Sequence, residues 1–239
     1  MSGIGALGPI EAVIFDKDGT LFDFGATWES WAAAFLRRMS DGDEARAAEV
    51  GTAVGFDLTR LRFDRNSVII AGTPADIVDA LLPHAPVYDQ TTLLDLLNEE
   101  AVAAPQVEAV PLIPFLQDLR GRGLKLGVAT NDAEVPARAH LDAAGISGAF
   151  DFIAGFDSGY GGKPAPGQLL TFCQQVGVMP ERCVMVGDST HDLRAGRAAG
   201  MATVGVLTGL AERSELIPYA DVVLPDISGL PDWLDRLSP

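Results

Sequence analysis

Residues 13–22 read VIFDKDGTLF, and the architecture of the chain can be built outward from this stretch. Three apolar residues run directly into two aspartates separated by one lysine, and a glycine and a threonine follow. A short apolar run that stops at Asp and Gly is typical of a strand buried on both faces of a parallel sheet. Because side chains alternate along a strand, we predict that Asp16 and Asp18 point to one side and that Lys17 points away from both.

Short apolar runs of the same character recur along the chain, and helical patterns lie between several of them. Strands that alternate with helices predict an α/β fold with a doubly wound, mainly parallel sheet. The predicted helices cover 111–123, 133–145, 166–177 and 191–200. The predicted strands are Ala12 to Phe15, Leu124 to Ala129, Phe150 to Ala154, Cys183 to Val186, Thr203 to Leu207 and Asp221 to Leu224.

Residues 24–104 break this alternation, because they contain helical patterns and little that resembles a strand. We therefore predict an α/β core domain formed by 1–23 and 105–239, and an inserted α-helical cap domain at 24–104. The run SVII at 67–70 carries no assignment. Aromatic residues dominate protein cores, so we expect those near the start of the insertion to pack rather than to recognise a ligand. They are Phe22, Phe24, Trp28 and Trp31.

The composition excludes several classes of partner. Seventeen Lys and Arg against 33 Asp and Glu give a formal charge of −16, which repels nucleic acid and anionic lipid. No run approaches the roughly 20 apolar residues of a membrane span, and the first residues lack the features of a secretion signal. We expect a cytoplasmic monomer or homodimer in which Cys173 and Cys183 are buried free thiols.

Four polar segments share one position in the α/β pattern. DKDGT (16–20), TND (130–132), GGKPAPG (161–167) and GDSTHD (187–192) each follow a predicted strand or lie in a loop that opens onto the same edge. In open α/β sheets ligands bind at the edge formed by the carboxyl ends of the strands. We therefore predict that these four segments form one site.

The chemistry of this predicted site starts from its carboxylates. In DKDGT one aspartate can be a nucleophile or metal ligand and the other a general acid and base. Asp188 and Asp192 add two more carboxylates, and such a cluster requires a cation to offset its repulsion. Hard oxygen ligands without useful Cys or His pairing point to Mg²⁺.

Lys163 and Thr130 supply groups of the opposite kind. A lysine on a constrained Gly-Pro loop can neutralise a carboxylate and a phosphate oxygen together. The Thr130 hydroxyl can donate to a phosphoryl oxygen, with the backbone N–H groups of Asn131 and Asp132 beside it. Thr130 is equally well explained as the N-cap of the next helix.

In their order along the chain, DxDGT, a strand ending in Thr, Lys-Pro and GDSxxD resemble the motifs of the haloacid dehalogenase superfamily of aspartate-nucleophile hydrolases. The resemblance covers 10–24 and 108–226. The segment from GDSTHDLRAGRAAGM to VGVLTG is similar to the phosphoglycolate-phosphatase-like branch, and the helical insertion resembles the cap of that branch. The resemblance implies a Rossmann-like core with a mobile helical cap.

The resemblance also implies roles for individual residues. Asp16 would be the nucleophile and a Mg²⁺ ligand. Asp18 would protonate the leaving alcohol and then activate water, with its backbone carbonyl on the metal. Asp188 would ligate Mg²⁺ and Asp192 would support the metal shell or Lys163.

The remaining expectations concern the substrate. Thr130, Asn131 and Lys163 would hold the transferring phosphoryl group, and Arg65 of the cap would reach a substrate carboxylate or hydroxyl. The chain is thus expected to be a Mg²⁺-dependent phosphatase that hydrolyses a small phosphorylated metabolite, phosphoglycolate-like, through an aspartyl-phosphate. Two alternatives stay open: a β-phosphoglucomutase-like phosphomutase, and a regulatory protein that binds a phosphorylated ligand on the same fold.

Overall fold

The computed structural model describes residues 9–64 and 67–237, and it shows a parallel α/β sheet with a mostly helical segment inserted after the first strand. The strands are β1 (Ala12–Phe15), β2 (Phe56–Asp57), β3 (Arg62–Phe63), β4 (Lys125–Ala129), β5 (Phe152–Ala154), β6 (Cys183–Gly187), β7 (Ala202–Val206) and β8 (Val222–Leu224). The helices are α1 (Phe24–Met39), α2 (Glu44–Ala53), α3 (Val68–Ala71), α4 (Pro74–Leu81), α5 (Gln90–Val102), α6 (Leu112–Gly121), α7 (Glu134–Ala143), α8 (Gly167–Val176), α9 (Thr190–Ala199), α10 (Arg213–Leu216) and α11 (Leu230–Asp235).

The main sheet has six strands in the order β5-β4-β1-β6-β7-β8, and all its pairings are parallel. The predicted fold class is confirmed, and the predicted strands agree with the observed ones to within one or two residues at each end. Strand β1 lies between β4 and β6, with Phe15 opposite both Val128 and Val186. Strands β4 and β5 lie on one side of β1, and strands β6 to β8 lie on the other. The strand order therefore reverses at β1, and the carboxyl end of β1 is the switch point at which such sheets bind ligands.

Helices cover both faces of the sheet. One apolar cluster joins the sheet to α6, α7 and α11 through Phe115, Leu141 and Trp233. A second cluster on the opposite face includes Phe172 of α8 and Ala195 of α9. Because apolar side chains cover β1 on both sides, its four residues are completely buried, which explains why the run AVIF is apolar throughout.

The segment 24–104 has an apolar cluster of its own, distinct from those of the sheet. Phe24, Trp28 and Trp31 belong to this cluster, whereas Phe22 packs with the sheet. The short antiparallel pair β2 and β3 escapes sequence analysis, because two residues per strand show no periodicity. The unassigned run at 67–70 forms α3 after Ser67, whose hydroxyl accepts the backbone N–H of Ile69. The division into core and cap stays a prediction.

Cys173 and Cys183 are free and buried, as predicted, and their sulfur atoms lie 3.4 Å apart. Across 9–64 and 67–237, none of the helices combines the length and the apolar character needed to cross a bilayer.

Candidate active site

The four polar segments line one cleft at the carboxyl edge of the main sheet. Asp16 follows β1, Thr130 follows β4 and Asp188 follows β6, while Lys163 reaches the same place from the loop before α8. Asp18 lines the cleft beside them. The parallel order of the sheet brings these residues together, because its strands all end at one edge.

Lys163 contacts two carboxylates and a backbone carbonyl in the cleft. Its ammonium donates to Asp16 Oδ1 at 2.5 Å and to the Ala129 carbonyl at 2.7 Å, and it lies 2.6 Å from Asp192 Oδ1. Lys163 is only 5 % exposed. Burial by itself lowers the pKa of an ammonium, but Asp16 and Asp192 reverse this, so the pKa of Lys163 is raised. Lys163 therefore remains a fixed cation between two carboxylates.

Three carboxylates converge beside Lys163. Asp16, Asp188 and Asp192 each offer an oxygen, and these atoms lie within 4.8 Å of one another. Burial is the main reason that the pKa of Asp16 is raised to about 7 and that the pKa of Asp188 is raised well above its ordinary value. One ammonium does not balance three buried carboxylates, so the cluster favours a further cation.

The surroundings of Asp188 fit a metal ion of the hard, oxygen-liganded kind. A Cβ built on Gly19 or Gly209 would overlap the Asp188 carboxylate, so these two glycines leave space for that side chain. Thr208, next to Gly209, donates its hydroxyl to the Gly19 carbonyl at 2.5 Å and joins the two loops. Sequence analysis missed Thr208 and Gly209, although the TG pair directly after a strand was a usable signal.

Asp192 uses both of its oxygens inside the protein. Asp192 Oδ2 accepts the backbone N–H of Ser189 at 3.0 Å and its hydroxyl at 2.7 Å, which forms a capping box at the start of α9. The other oxygen, Oδ1, faces Lys163. Both oxygens of Asp192 thus have partners within the protein, and its predicted auxiliary role stays a prediction. His191, on the same helix turn, also lines the cleft.

The predicted orientation of Lys17 is wrong. Its side chain is completely buried, and its ammonium donates to Asp18 Oδ1 at 2.7 Å. The same ammonium lies 3.3 Å from Asp132 Oδ2, 3.0 Å from His140 Nδ1 and 5.4 Å from the centre of the Trp28 ring. Strand β1 ends at Phe15, so the alternation of a strand does not extend to Lys17.

Asp132 and His140 complete a buried group around Lys17 that sequence analysis missed. Burial raises the pKa of Asp132 to about 6 against the opposing effect of Lys17. Burial and Lys17 lower the pKa of His140 to about 4, so its imidazole is neutral. His140 Nε2 donates to the Ala101 carbonyl at 2.7 Å, which leaves Nδ1 as the acceptor for Lys17.

Thr130 and Asn131 line the cleft beside Lys163. Thr130 is not an N-cap, because α7 has Ala133 at that position. Its hydroxyl accepts the backbone N–H of Asp132 at 3.0 Å and keeps its own hydrogen for donation. The Asn131 amide exchanges hydrogen bonds of 3.0 and 2.8 Å with the backbone of Lys163, and so fixes the lysine loop.

Gln168 is a further supporting residue that sequence analysis missed. Its side chain is completely buried and donates to the carbonyls of Thr130 and Gly155. Arg65, the predicted cap contact, lies outside the described residues, as does Asn66. Their neighbour Ser67 uses its hydroxyl within the insertion, where it donates to the Val54 carbonyl at 2.6 Å.

Comparison with known proteins agrees with this geometry. Residues 10–200 match the family described as haloacid dehalogenase-like hydrolase. "Probable phosphatase IndB" of Dickeya dadantii is 32% identical over 222 residues, which cover 90% of this chain and 88% of that protein. Phosphoglycolate phosphatase of Neisseria meningitidis is 30% identical over 236 residues, covering 98% and 96%. The crystal structure of CbbY from Rhodobacter sphaeroides in complex with phosphate superposes with a TM-score of 0.70 and 25% identity, covering 92% and 96%.

Proposed function

Since the chain belongs to the haloacid dehalogenase-like hydrolase family and is a phosphatase, we propose that it hydrolyses a small phosphate monoester, with Mg²⁺, through an aspartyl-phosphate on Asp16. One observation carries the proposal. The buried Asp16 carboxylate is held by Lys163 at 2.5 Å within a cluster of three carboxylates. A nucleophile needs this combination of fixed position and nearby positive charge.

Asp16, Asp188 and the backbone carbonyl of Asp18 are the groups that would hold Mg²⁺, with Asp192 in support. When bound, the ion would supply charge neutralisation to the carboxylates and to the phosphoryl oxygens. Lys163 restrains Asp16 through its hydrogen bond to Oδ1, and the carboxylate would thus be fixed for attack on phosphorus. Phosphoryl transfer asks mainly for positioning and charge neutralisation, and these residues provide both.

Asp18 is proposed as the general acid and base. Its side chain is 12% exposed at the cleft and receives a hydrogen bond from Lys17. Asp18 would first give a proton to the leaving alcohol and then take one from the water that hydrolyses the aspartyl-phosphate. Thr130 and Lys163 would hold the phosphoryl oxygens during both steps. Because Lys17 is fixed by its other partners, the orientation of the Asp18 carboxylate is fixed as well.

We further propose that 24–104 acts as a cap over a core made of 1–23 and 105–239. The separate apolar cluster of the insertion and its aromatic residues along the cleft support this division. A cap excludes water from the reaction and supplies contacts to the part of the substrate that leaves. Action in the cytoplasm, as a monomer or a homodimer, stays a prediction from the sequence.

The test measures phosphate release from p-nitrophenyl phosphate and from a panel of phosphorylated metabolites. The first metabolite is 2-phosphoglycolate, because several relatives are named phosphoglycolate phosphatase. Asp16→Asn should abolish turnover, and EDTA should do the same until Mg²⁺ is restored. Asp142→Asn, at an exposed position, is the matched control and should keep full activity. Retained turnover in Asp16→Asn would refute the nucleophile. Interconversion of sugar phosphates without release of phosphate would instead show a phosphomutase.

A further inference from the structure

The cleft has two chemically different walls. The wall at the sheet edge is polar and carries the carboxylates, Lys163 and Thr130. The wall contributed by the insertion is apolar. The residues of that second wall include Phe24, Trp28, Trp31, Ile69, Ile77 and Leu97.

The insertion offers no cation to the cleft among the residues that the structure describes. None of its cleft-lining residues is Lys, Arg or His, and 24–104 contains no lysine in the sequence. Arg38 of the insertion is exposed and forms ion pairs with Glu99 and Glu100. A carboxylate on the leaving group would lose its water at this wall without gaining a cation from the described part of the insertion, and burial of an unpaired charge is strongly unfavourable.

Two residues of the apolar wall each carry a polar atom without a partner. The indole nitrogens of Trp28 and Trp31 are buried and have no hydrogen-bond partner. The two side chains are 8% and 2% exposed, and their rings meet edge to face with centres 5.0 Å apart. Buried indole N–H groups usually find an acceptor, so two unpaired donors on one wall of a cleft are unusual. A ligand that carries an acceptor would satisfy them.

The two indoles are also held rigidly. The Trp31 ring stacks on Phe35 with centres 5.4 Å apart, and the Lys17 ammonium lies over the Trp28 ring. A rigid aromatic wall with donors at defined places costs little entropy when a flat molecule packs against it. It favours an aromatic group over a short, charged, flexible one.

We propose that the alcohol part of the substrate is an uncharged aromatic group that bears a hydrogen-bond acceptor, such as a ring nitrogen or a carbonyl. This inference rests on the proposed function, because it assumes that the phosphate lies at Asp16 and Lys163. It deepens that function by separating aromatic phosphate monoesters from carboxylate-bearing ones such as phosphoglycolate. Trp28 and Trp31 are the residues that set the specificity.

The first test compares matched substrates with similar alkyl leaving groups at pH 8. Benzyl phosphate should exceed 2-phosphoglycolate in kcat/KM by roughly tenfold or more. Burial of the ring at the apolar wall contributes favourable binding free energy, whereas burial of an unpaired carboxylate there costs binding free energy. 3-Pyridylmethyl phosphate, which adds one acceptor to the same ring, should exceed benzyl phosphate. Equal or better turnover of 2-phosphoglycolate would overturn the inference.

Trp31→Phe removes one N–H group and keeps the ring. It should reduce the preference for the pyridyl over the benzyl substrate by roughly threefold to tenfold, the value of one hydrogen bond. Trp233→Phe is the matched control, because Trp233 is also buried but lies in α11 and belongs to the apolar cluster of the sheet. An unchanged preference in Trp31→Phe, or an equal change in both variants, contradicts the assignment.

A binding experiment separates this inference from the proposed function. Calorimetry in Mg²⁺ compares 2-phenylethylphosphonate with 3-phosphonopropionate, which are uncleavable analogues of benzyl phosphate and phosphoglycolate. Tighter binding of the aromatic analogue supports the substrate class even if no ester is hydrolysed, an outcome that would refute only the phosphatase mechanism. Tighter binding of the carboxylate analogue, lost in Arg65→Ala, would overturn the inference in favour of a cap arginine.

Discussion

Replacing Lys17 by methionine tests the most unexpected contact of the structure. The substitution keeps the length of the side chain and removes its charge. The ammonium is completely buried among the Asp18 and Asp132 carboxylates and the His140 imidazole. Without Lys17, Asp132 remains as a buried acidic group that has lost its cation.

The magnitude follows from this loss. Removing one partner of a buried ion pair costs roughly 3 to 5 kcal/mol of folding free energy. In a chain of this size 1 kcal/mol corresponds to roughly 2 to 4 °C, so the Tm of Lys17→Met should fall by about 6 to 20 °C. The measurement is thermal unfolding followed by circular dichroism at pH 7.5.

Two further variants make this result specific. Lys125→Met removes a half-exposed lysine that lies 3.6 Å from Asp151, and such surface pairs contribute only about 0 to 1 kcal/mol. The double variant Lys17→Met/Asp132→Asn removes both charges and should recover a large part of the lost Tm. A Tm of Lys17→Met within 2 °C of the parent (roughly 1 kcal/mol or less), or no recovery in the double variant, would refute the buried ion pair.

The folded double variant also reports on catalysis. Asp18 loses a charged hydrogen bond, worth roughly 1.5 to 3 kcal/mol, so kcat should fall by roughly ten- to a hundredfold. KM should change by less than about threefold, because other residues hold the phosphate. A purely structural role for Lys17 would leave kcat close to the parent value once folding is restored.

Two other outcomes are expected from the metal site. Gly209→Ala should raise the Mg²⁺ concentration for half-maximal activity by roughly tenfold or more, because the new Cβ displaces the neighbouring carboxylate. Gly148→Ala, where a Cβ meets open space, should leave that concentration unchanged, and equal effects would contradict the argument. In EDTA the Tm should fall as pH rises from 6.5 to 8, a range in which His140 is largely neutral in both the folded and the unfolded state. Because the pKa of Asp16 is raised to about 7 and that of Asp132 to about 6, the folded state stays protonated to a higher pH than the unfolded state. The free energy of unfolding therefore decreases as these groups lose their protons. A flat or rising Tm across this range would show that these carboxylates are not buried.

The sequence was sufficient for the fold because the strands are short, continuous and apolar. Runs such as Ala12 to Phe15 need no partner to be recognised, since burial on both faces leaves no polar position. The rule that ligands bind at the carboxyl edge then placed Asp16, Thr130 and Asp188 in one cleft. Their roles were carried by the family resemblance rather than by the residues alone.

What could not be predicted depends on contacts between distant segments. Lys17 contacts Asp132 and His140, which lie more than a hundred positions away in the sequence. The residues around Lys17 in the sequence do not indicate these contacts. The alternation rule also failed because it was applied to the three residues that follow the end of β1. The unpaired indole nitrogens of Trp28 and Trp31 were equally hidden, because a pattern of aromatic residues indicates packing and says nothing about hydrogen-bond partners.

The contacts of Lys17 connect Asp18 to the insertion. Asp18 accepts from Lys17, Lys17 donates to His140, and His140 donates to the Ala101 carbonyl in the last turn of α5. The same carbonyl accepts the backbone N–H of Ala104 at 3.1 Å, so His140 adds a second hydrogen bond at the end of α5. This arrangement requires a neutral imidazole, and the lowered pKa of His140, about 4, keeps it neutral at physiological pH. The lysine between the two aspartates of DKDGT is therefore part of the link by which the helical insertion is joined to Asp18, the proposed acid and base.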